Sequence, residues 1–216
     1  MAESSYLSFK CAVTTGGGGI GRALAQYFIS RGKKSTAKAI GAAAYYEITT
    51  EHPDIDCLVN NAAVQRPIEV LRPDAFLEKA DQEIDINIRG PMHPTLGLLP
   101  HLRSKPSALI INVSSGLGFN PLSIIHPVYS GTKAWLHSYN IRVVELVPPM
   151  VATNLQRELK NNKFAAYALT IDEFMDEITP KLERGDETIG AGTSAQAIDK
   201  WFEAYGGMYD KFTSGQ

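Results

Sequence analysis

Four consecutive glycines, Gly16 to Gly19, stand between a short apolar run and an amphipathic one. Phe9–Thr14 (FKCAVT) reads as a strand, being short, apolar and partly β-branched. Beyond the glycines, Ile20, Leu24, Tyr27 and Phe28 recur at helical spacing, and Gly32 suits the position just past the helix end. Strand, bare turn and helix in succession let backbone approach a ligand closely. The helix start also aims free N–H groups and the positive end of its dipole at an anion. Gly16, Gly17, Gly19 and Gly21 are therefore candidates for holding a phosphate, a plain glycine turn being the alternative reading.

Further apolar strands follow at Asp56–Asn61, Leu109–Val113 and Ile141–Val147, with helical patterns over roughly 74–103 and 128–139. Such alternation predicts an α/β fold, a doubly wound parallel sheet covered on both faces. Pro94 lies inside the first helical region, where a proline costs about 3 kcal/mol. Thr170-Ile-Asp-Glu173 has the form of a capping box opening a helix to about Leu182, and 187–189 reads as a last short strand. Ser194–Phe212 reads as an amphipathic helix with Ile198, Trp201, Phe202 and Tyr205 inward. Its 216 residues, 44% hydrophobic and 20% charged, suit one globular domain over 1–216, with 150–216 as a loop on the substrate side and C-terminal helices.

A formal charge of −2 supplies no field for nucleic acid or an anionic membrane, and no run approaches a bilayer span. Cys11 and Cys57 are too few for a disulfide scaffold. His52, His93, His101, His126 and His137 show no metal-ligand spacing, so no metal is expected. The first residues lack the pattern of a secretory leader, which predicts a cytoplasmic protein.

Tyr129 and Lys133 are four residues apart, which puts them on one helix face. An ammonium beside a phenol favours the phenolate and makes the tyrosine a usable acid or base. Ser114 and Ser115 follow the strand LIINV, at the sheet edge where parallel folds bind ligands. Taken singly, each has a bland reading: a surface pair, turn serines and, for Asn87, a surface amide.

The order TTGGGGIG, VNNAA (59–63), Asn87, NVSS (112–115), YSGTK (129–133) and PPMVAT (148–153) resembles the short-chain dehydrogenase/reductase family. The wording is most similar to its DltE-like subgroup. The resemblance implies a Rossmann-like sheet, NAD or NADP as cofactor, and hydride transfer with a small carbonyl or alcohol substrate. It further implies that Tyr129 is the general acid/base, assisted by Lys133. Ser115 would bind the substrate oxygen and Asn87 would hold a relay water. Ile20, Asn60, Asn61, Val151 and Thr153 would contact the dinucleotide with the glycines.

The chain departs from that family at specific places. Thr15 stands where the first glycine of the turn is usual, and Ala63 where NNAG ends in glycine. About 20 residues past the turn, Ile40–Ala44 offer neither a carboxylate nor an arginine for the adenine ribose, though Lys33 and Lys34 stand nearby. Only 35 residues, Arg22 to Asp56, separate the turn from DCLVNN, with Ala42–Ile48 as a candidate strand, so one or two strands and helices of the full fold are expected to be missing. Seven residues follow Lys133 before the next strand, which weakens a helix-mediated homo-oligomer. Leu155, Phe164 and Tyr167 are candidates for an apolar lid. The alternative is a catalytically impaired, shortened relative that acts as a non-enzymatic binding protein without a competent cofactor site, or a chain that does not fold stably.

Overall fold

The structure is a computed structural model that describes residues 8–37, 44–66, 68, 75–121, 126–134, 143–156 and 165–213. Six parallel strands form one sheet in the order β2-β1-β3-β4-β5-β6. They are β1 (Cys11–Thr15), β2 (Lys34–Ala37), β3 (Ile55–Asn60), β4 (Leu109–Val113), β5 (Val143–Val147) and β6 (Thr188–Gly190). This is the expected doubly wound, Rossmann-like sheet.

The strands bury both faces because successive side chains point to opposite sides. Ala12, Cys57, Val59, Ile111 and Leu146 pack with Leu24 and Phe28 of α1 (Gly19–Ser30) and Phe174, Ile178 and Leu182 of α7 (Ile171–Arg184). Cys11, Val13, Leu58 and Ile110 pack instead with Ile48 of α2 (Ala44–Glu51) and Leu98 and Leu102 of α4 (Gly90–Arg103). Each such side chain, fully buried, contributes about 1.5–3 kcal/mol.

Local signals hold at three helix ends. Gly32 has φ +74° and receives the end of α1, with Gly32 N–H donating to Ile29 and Lys33 N–H to Phe28. Thr170 and Glu173 form the capping box of α7, and Gly185 ends that helix with φ +92°.

Two expectations are corrected, and a third, the helix over roughly 74–103, holds in spite of Pro94. The candidate strand Ala42–Ile48 fails: the residues from Ala44 onward are helical, and β2 lies earlier, at Lys34–Ala37. Tyr45 and Ile48 fall on one helix face, and the Tyr45 ring lies where a β-carbon on Gly97 would be 2.3 Å away. Among the described residues a single strand–helix unit thus lies between β1 and β3. The helix does not break at Pro94: α3 (Phe76–Ile84) runs through a π turn, Asp85–Arg89, into α4. That widened turn shifts the hydrogen-bond register just ahead of Pro91 and Pro94. In α8 (Gly192–Thr213) Ile198 is buried, but Phe202 and Tyr205 are 40% and 52% exposed. The helix outruns the three-residue β6, so its distal half has no sheet to cover.

At the opposite edge of the sheet from the glycine turn, Asp56 accepts the backbone N–H groups of Lys10 (2.8 Å) and Cys11 (2.9 Å), joining the starts of β1 and β3. Asp56→Ala removes the acceptor of both donors and leaves that of Cys11 unpaired in a buried place. Unfolding in urea should then show a loss of about 1–3 kcal/mol with an unchanged slope.

Candidate active site

The C-terminal ends of β1, β3 and β4 open onto a cleft of about 400 Å³. It lies at the topological switch point, where β1 has β2 on one side and β3 on the other. One wall is the glycine turn (Gly16, Gly18, Gly19 and Ile20), another is the stretch from Asn61 to Arg66. Tyr129 and Lys133 of α6 (Pro127–Ala134) face them, and Thr153 to Leu155 complete the rim.

Gly16, not Thr15, takes the left-handed conformation at the start of the turn, with φ +77°. Thr15 has a different task. Its hydroxyl accepts the N–H groups of Asn61 (3.0 Å) and Ala62 (3.2 Å) and donates to the Val59 carbonyl. The Asn61 amide in turn donates to the carbonyls of Thr15 (3.2 Å) and Gly16 (2.9 Å). The turn is therefore strapped to the end of β3. Helix α1 begins at Gly18 with no side-chain cap and no acid in its first turn. Its first N–H groups thus face the cleft without an internal anion, as a bound phosphate requires. The glycine cradle fits the diphosphate of a dinucleotide.

Tyr129 is 4% exposed and Lys133 likewise. The Lys133 Nζ donates to the Val113 carbonyl at 2.9 Å and lies 5.6 Å from the Tyr129 ring centroid. The ammonium is therefore over the ring and bonded to the end of β4. Burial pushes the Tyr129 phenol well above its ordinary value; a hydrogen bond with Ser115 opposes this and the Glu83 carboxylate adds to it. Desolvation, not the expected acidification by Lys133, dominates the phenol here.

Ser115 is the N-cap of α5 (Gly116–Phe119), where its hydroxyl accepts the Leu117 N–H at 3.2 Å. Asn87 sits in the π turn, 2% exposed. Its side chain accepts from Val64 N–H (2.9 Å) and donates to the Val64 carbonyl (2.8 Å) and to Thr132 (3.2 Å). It thus pins the cleft wall to α6.

Of the other expected residues, Gly16, Gly19, Ile20, Asn61 and Thr153 line the cleft. Asn60 is buried below it, donating to Thr95 (3.1 Å) and Asn112 (2.9 Å). Val151 lies in the core and pairs with Leu169. Gly21 stands inside the turn: a β-carbon there would be 2.3 Å from the Gly16 carbonyl oxygen. Gly17 is exposed and is not part of the lining. Lys33 and Lys34 are at the start of β2, the end of the sheet remote from the cleft, and Lys34 pairs with Asp54. Leu155 reaches the cleft, Tyr167 is 81% exposed, and Phe164 lies outside the described residues. The residues immediately after β2, 38–43, lie outside them as well.

Gln65, Arg66 and Ile86 line the cleft without having been singled out in the sequence. Their signal was proximity in sequence to Asn61 and Asn87. Among the described residues no group of three or more His, Cys, Asp or Glu is placed to hold a metal, and no helix is long and apolar enough to cross a membrane.

Burial lowers Lys133 to about 8 from 10.5, with Glu145 opposing. The folded protein gives up this proton before the unfolded chain does. Lys133 therefore costs stability below about pH 8, and the cost fades as pH climbs towards about 10. Denaturation of wild type and Lys133→Met across that window should show the wild type alone gaining, on the order of 2 kcal/mol. Parallel pH dependence in both proteins would contradict the burial of a charged amine.

The family model for short chain dehydrogenases matches residues 36–163. The chain is 33% identical over 159 residues to the uncharacterized oxidoreductase DltE of Bacillus subtilis, covering 68% of this chain and 63% of that protein. It is 29% identical over 151 residues to human 17-beta-hydroxysteroid dehydrogenase type 3, covering 63% and 46%. The chain thus spans less than two thirds of the length of these relatives. A short chain dehydrogenase from Burkholderia cenocepacia, solved in complex with NADP, superposes with a TM-score of 0.71 at 23% identity over 95% of this chain and 97% of that one. One from Sphingobium yanoikuyae, solved with NADPH, gives 0.72 at 18% over 95% and 96%. With more than half its length matched by the family model, this chain belongs to the short-chain dehydrogenase family.

Proposed function

We propose that the protein is an NAD(P)-dependent oxidoreductase that reduces a small carbonyl compound, with Tyr129 as the proton donor. One observation carries this reading: the uncapped glycine turn and the Tyr129–Lys133 pair line the same cleft. NADP-bound and NADPH-bound relatives of the same fold support the cofactor class. The dinucleotide, when bound, supplies the hydride. The first N–H groups of α1 hold its diphosphate, and Gly16 and Gly19 let the backbone come close. Burial keeps the Tyr129 phenol protonated at neutral pH. A protonated phenol gives its proton to a carbonyl oxygen, so the site favours reduction. Ser115 would share the substrate oxygen, and Lys133, held by the Val113 carbonyl, would bind the nicotinamide ribose. Asn87 acts through Val64 and Thr132, keeping the wall and the catalytic helix in register.

A second reading, cofactor binding without turnover, is favoured by the single strand–helix unit between β1 and β3. NADH and NADPH fluorescence titrations, followed by absorbance near 340 nm with a panel of aldehydes and ketones, separate the two. Saturable binding with turnover supports the reductase; binding alone supports the second reading; no binding sinks both. In the first case Tyr129→Phe should lose about 100-fold or more in rate while cofactor binding stays.

Gly18 offers a sharper test of the anion site. Its φ of −117° suits any residue, and nothing lies within 4 Å of a β-carbon there. Aspartate is a good N-cap, so Gly18→Asp should melt no lower than wild type. Its carboxylate would occupy the phosphate position, and NADPH affinity should fall by about tenfold or more.

A further inference from the structure

Glu83 is a buried acid that the proposed reaction leaves unused. It lies in the last turn of α3 and is 1% exposed. One carboxylate oxygen accepts the Arg66 backbone N–H at 2.5 Å, and the other has no hydrogen-bond partner. A carboxylate this deep is disfavoured in its charged form unless it is well paired. Its surroundings are the back of the cleft. Arg66 and Tyr129 line that cleft together, and α3 packs against α6, which carries the tyrosine. His126, just ahead of α6, hydrogen-bonds the Arg66 backbone and also has a buried ring nitrogen without a partner. Ser130 Oγ, on the residue after the phenol, is in the same condition.

We propose that Glu83 is a positioning residue for Tyr129: its carboxylate fixes the cleft wall at Arg66, and its charge opposes formation of a phenolate on the neighbouring helix. The catalytic consequence rests on the reductase reading; the electrostatic coupling does not. Burial raises Glu83 to about 7, with the Arg66 backbone and guanidinium opposing. Glu83 in turn raises the phenol. Among the described residues, the charged and titratable groups facing Glu83 and Tyr129 are Arg66 from the loop after β3, His126 from the α6 side, and Lys133 over the phenol ring. Asp85 and Arg89 of the π turn are exposed and pair with each other. As pH rises through about 7, Glu83 ionises and Tyr129 holds its proton more tightly, so the proton donor persists to higher pH.

The test is a pH titration by carbon NMR of protein labelled at tyrosine Cζ, with the Tyr129 signal assigned through Tyr129→Phe. The expected result is an inflection of that signal near neutral pH in the native protein, reporting Glu83. Glu83→Gln keeps an acceptor for Arg66 but removes the charge. It should abolish the step near pH 7 while leaving the one from Lys133 near 8, and make phenol ionisation set in lower by about half a pH unit or more. This readout needs no turnover, so it stands or falls apart from the reductase reading. Where turnover is found, the alkaline limb of the kcat/KM profile should move the same way with KM kept. A native Tyr129 signal without the inflection overturns the proposal even if the variant does not fold; an unchanged onset of ionisation in folded Glu83→Gln overturns it too.

Discussion

The site depends on how closely the glycine turn lies against the end of β3. The Asn61 amide reaches the carbonyls of Thr15 and Gly16, and the Thr15 hydroxyl reaches back to Asn61 and Ala62. This approach leaves no room for a side chain at Gly21, where a β-carbon would be 2.3 Å from Gly16 and 2.4 Å from Asn61. Strapping the turn to β3 aims the start of α1 into the cleft and sets the opposite wall, 61–66, at the same time. With Thr15 in place of the usual first glycine, Gly16 takes the left-handed backbone and the threonine hydroxyl takes up hydrogen bonds.

Desolvation is the second organising force. Tyr129 and Lys133 are both shut away from water, and burial moves each towards its neutral form: the phenol up, the amine down. Pairing at helical spacing is not enough to make a phenol acidic once both partners have lost their solvent. Asn87 bonds Thr132 of α6 and Asn60 bonds Thr95 of α4, so buried amides tie together the elements around the cleft.

Much of the fold was legible because its signals are local. The central strands are short apolar runs between turn residues, the capping box at Thr170 is a four-residue pattern, and Gly32 closes its helix by backbone conformation alone. The misreadings have a common cause. Ala44–Glu51 is weakly patterned, and its helix is decided by the Tyr45 contact with Gly97, 52 positions away. Phe202 and Tyr205 follow helical spacing but find no sheet beneath them. Pro94 breaks a local rule, yet α4 runs on through it and through Pro100.

The motif residues of the site were legible by type and order; their division of labour was not. The amino-acid order by itself determined a parallel sheet, a bare helix start at the glycines and a tyrosine one helical turn from a lysine, because each follows from residues close together in the chain. Only the tertiary structure decided that the lysine bonds to β4, that the Asn87 amide meets Val64 and Thr132, that the Asn60 amide meets Thr95 and Asn112, and that Glu83 is buried on a helix packed against the one carrying the phenol. Those outcomes depend on burial and on partners tens of residues apart, and the energy of a charge or amide is set by what surrounds it.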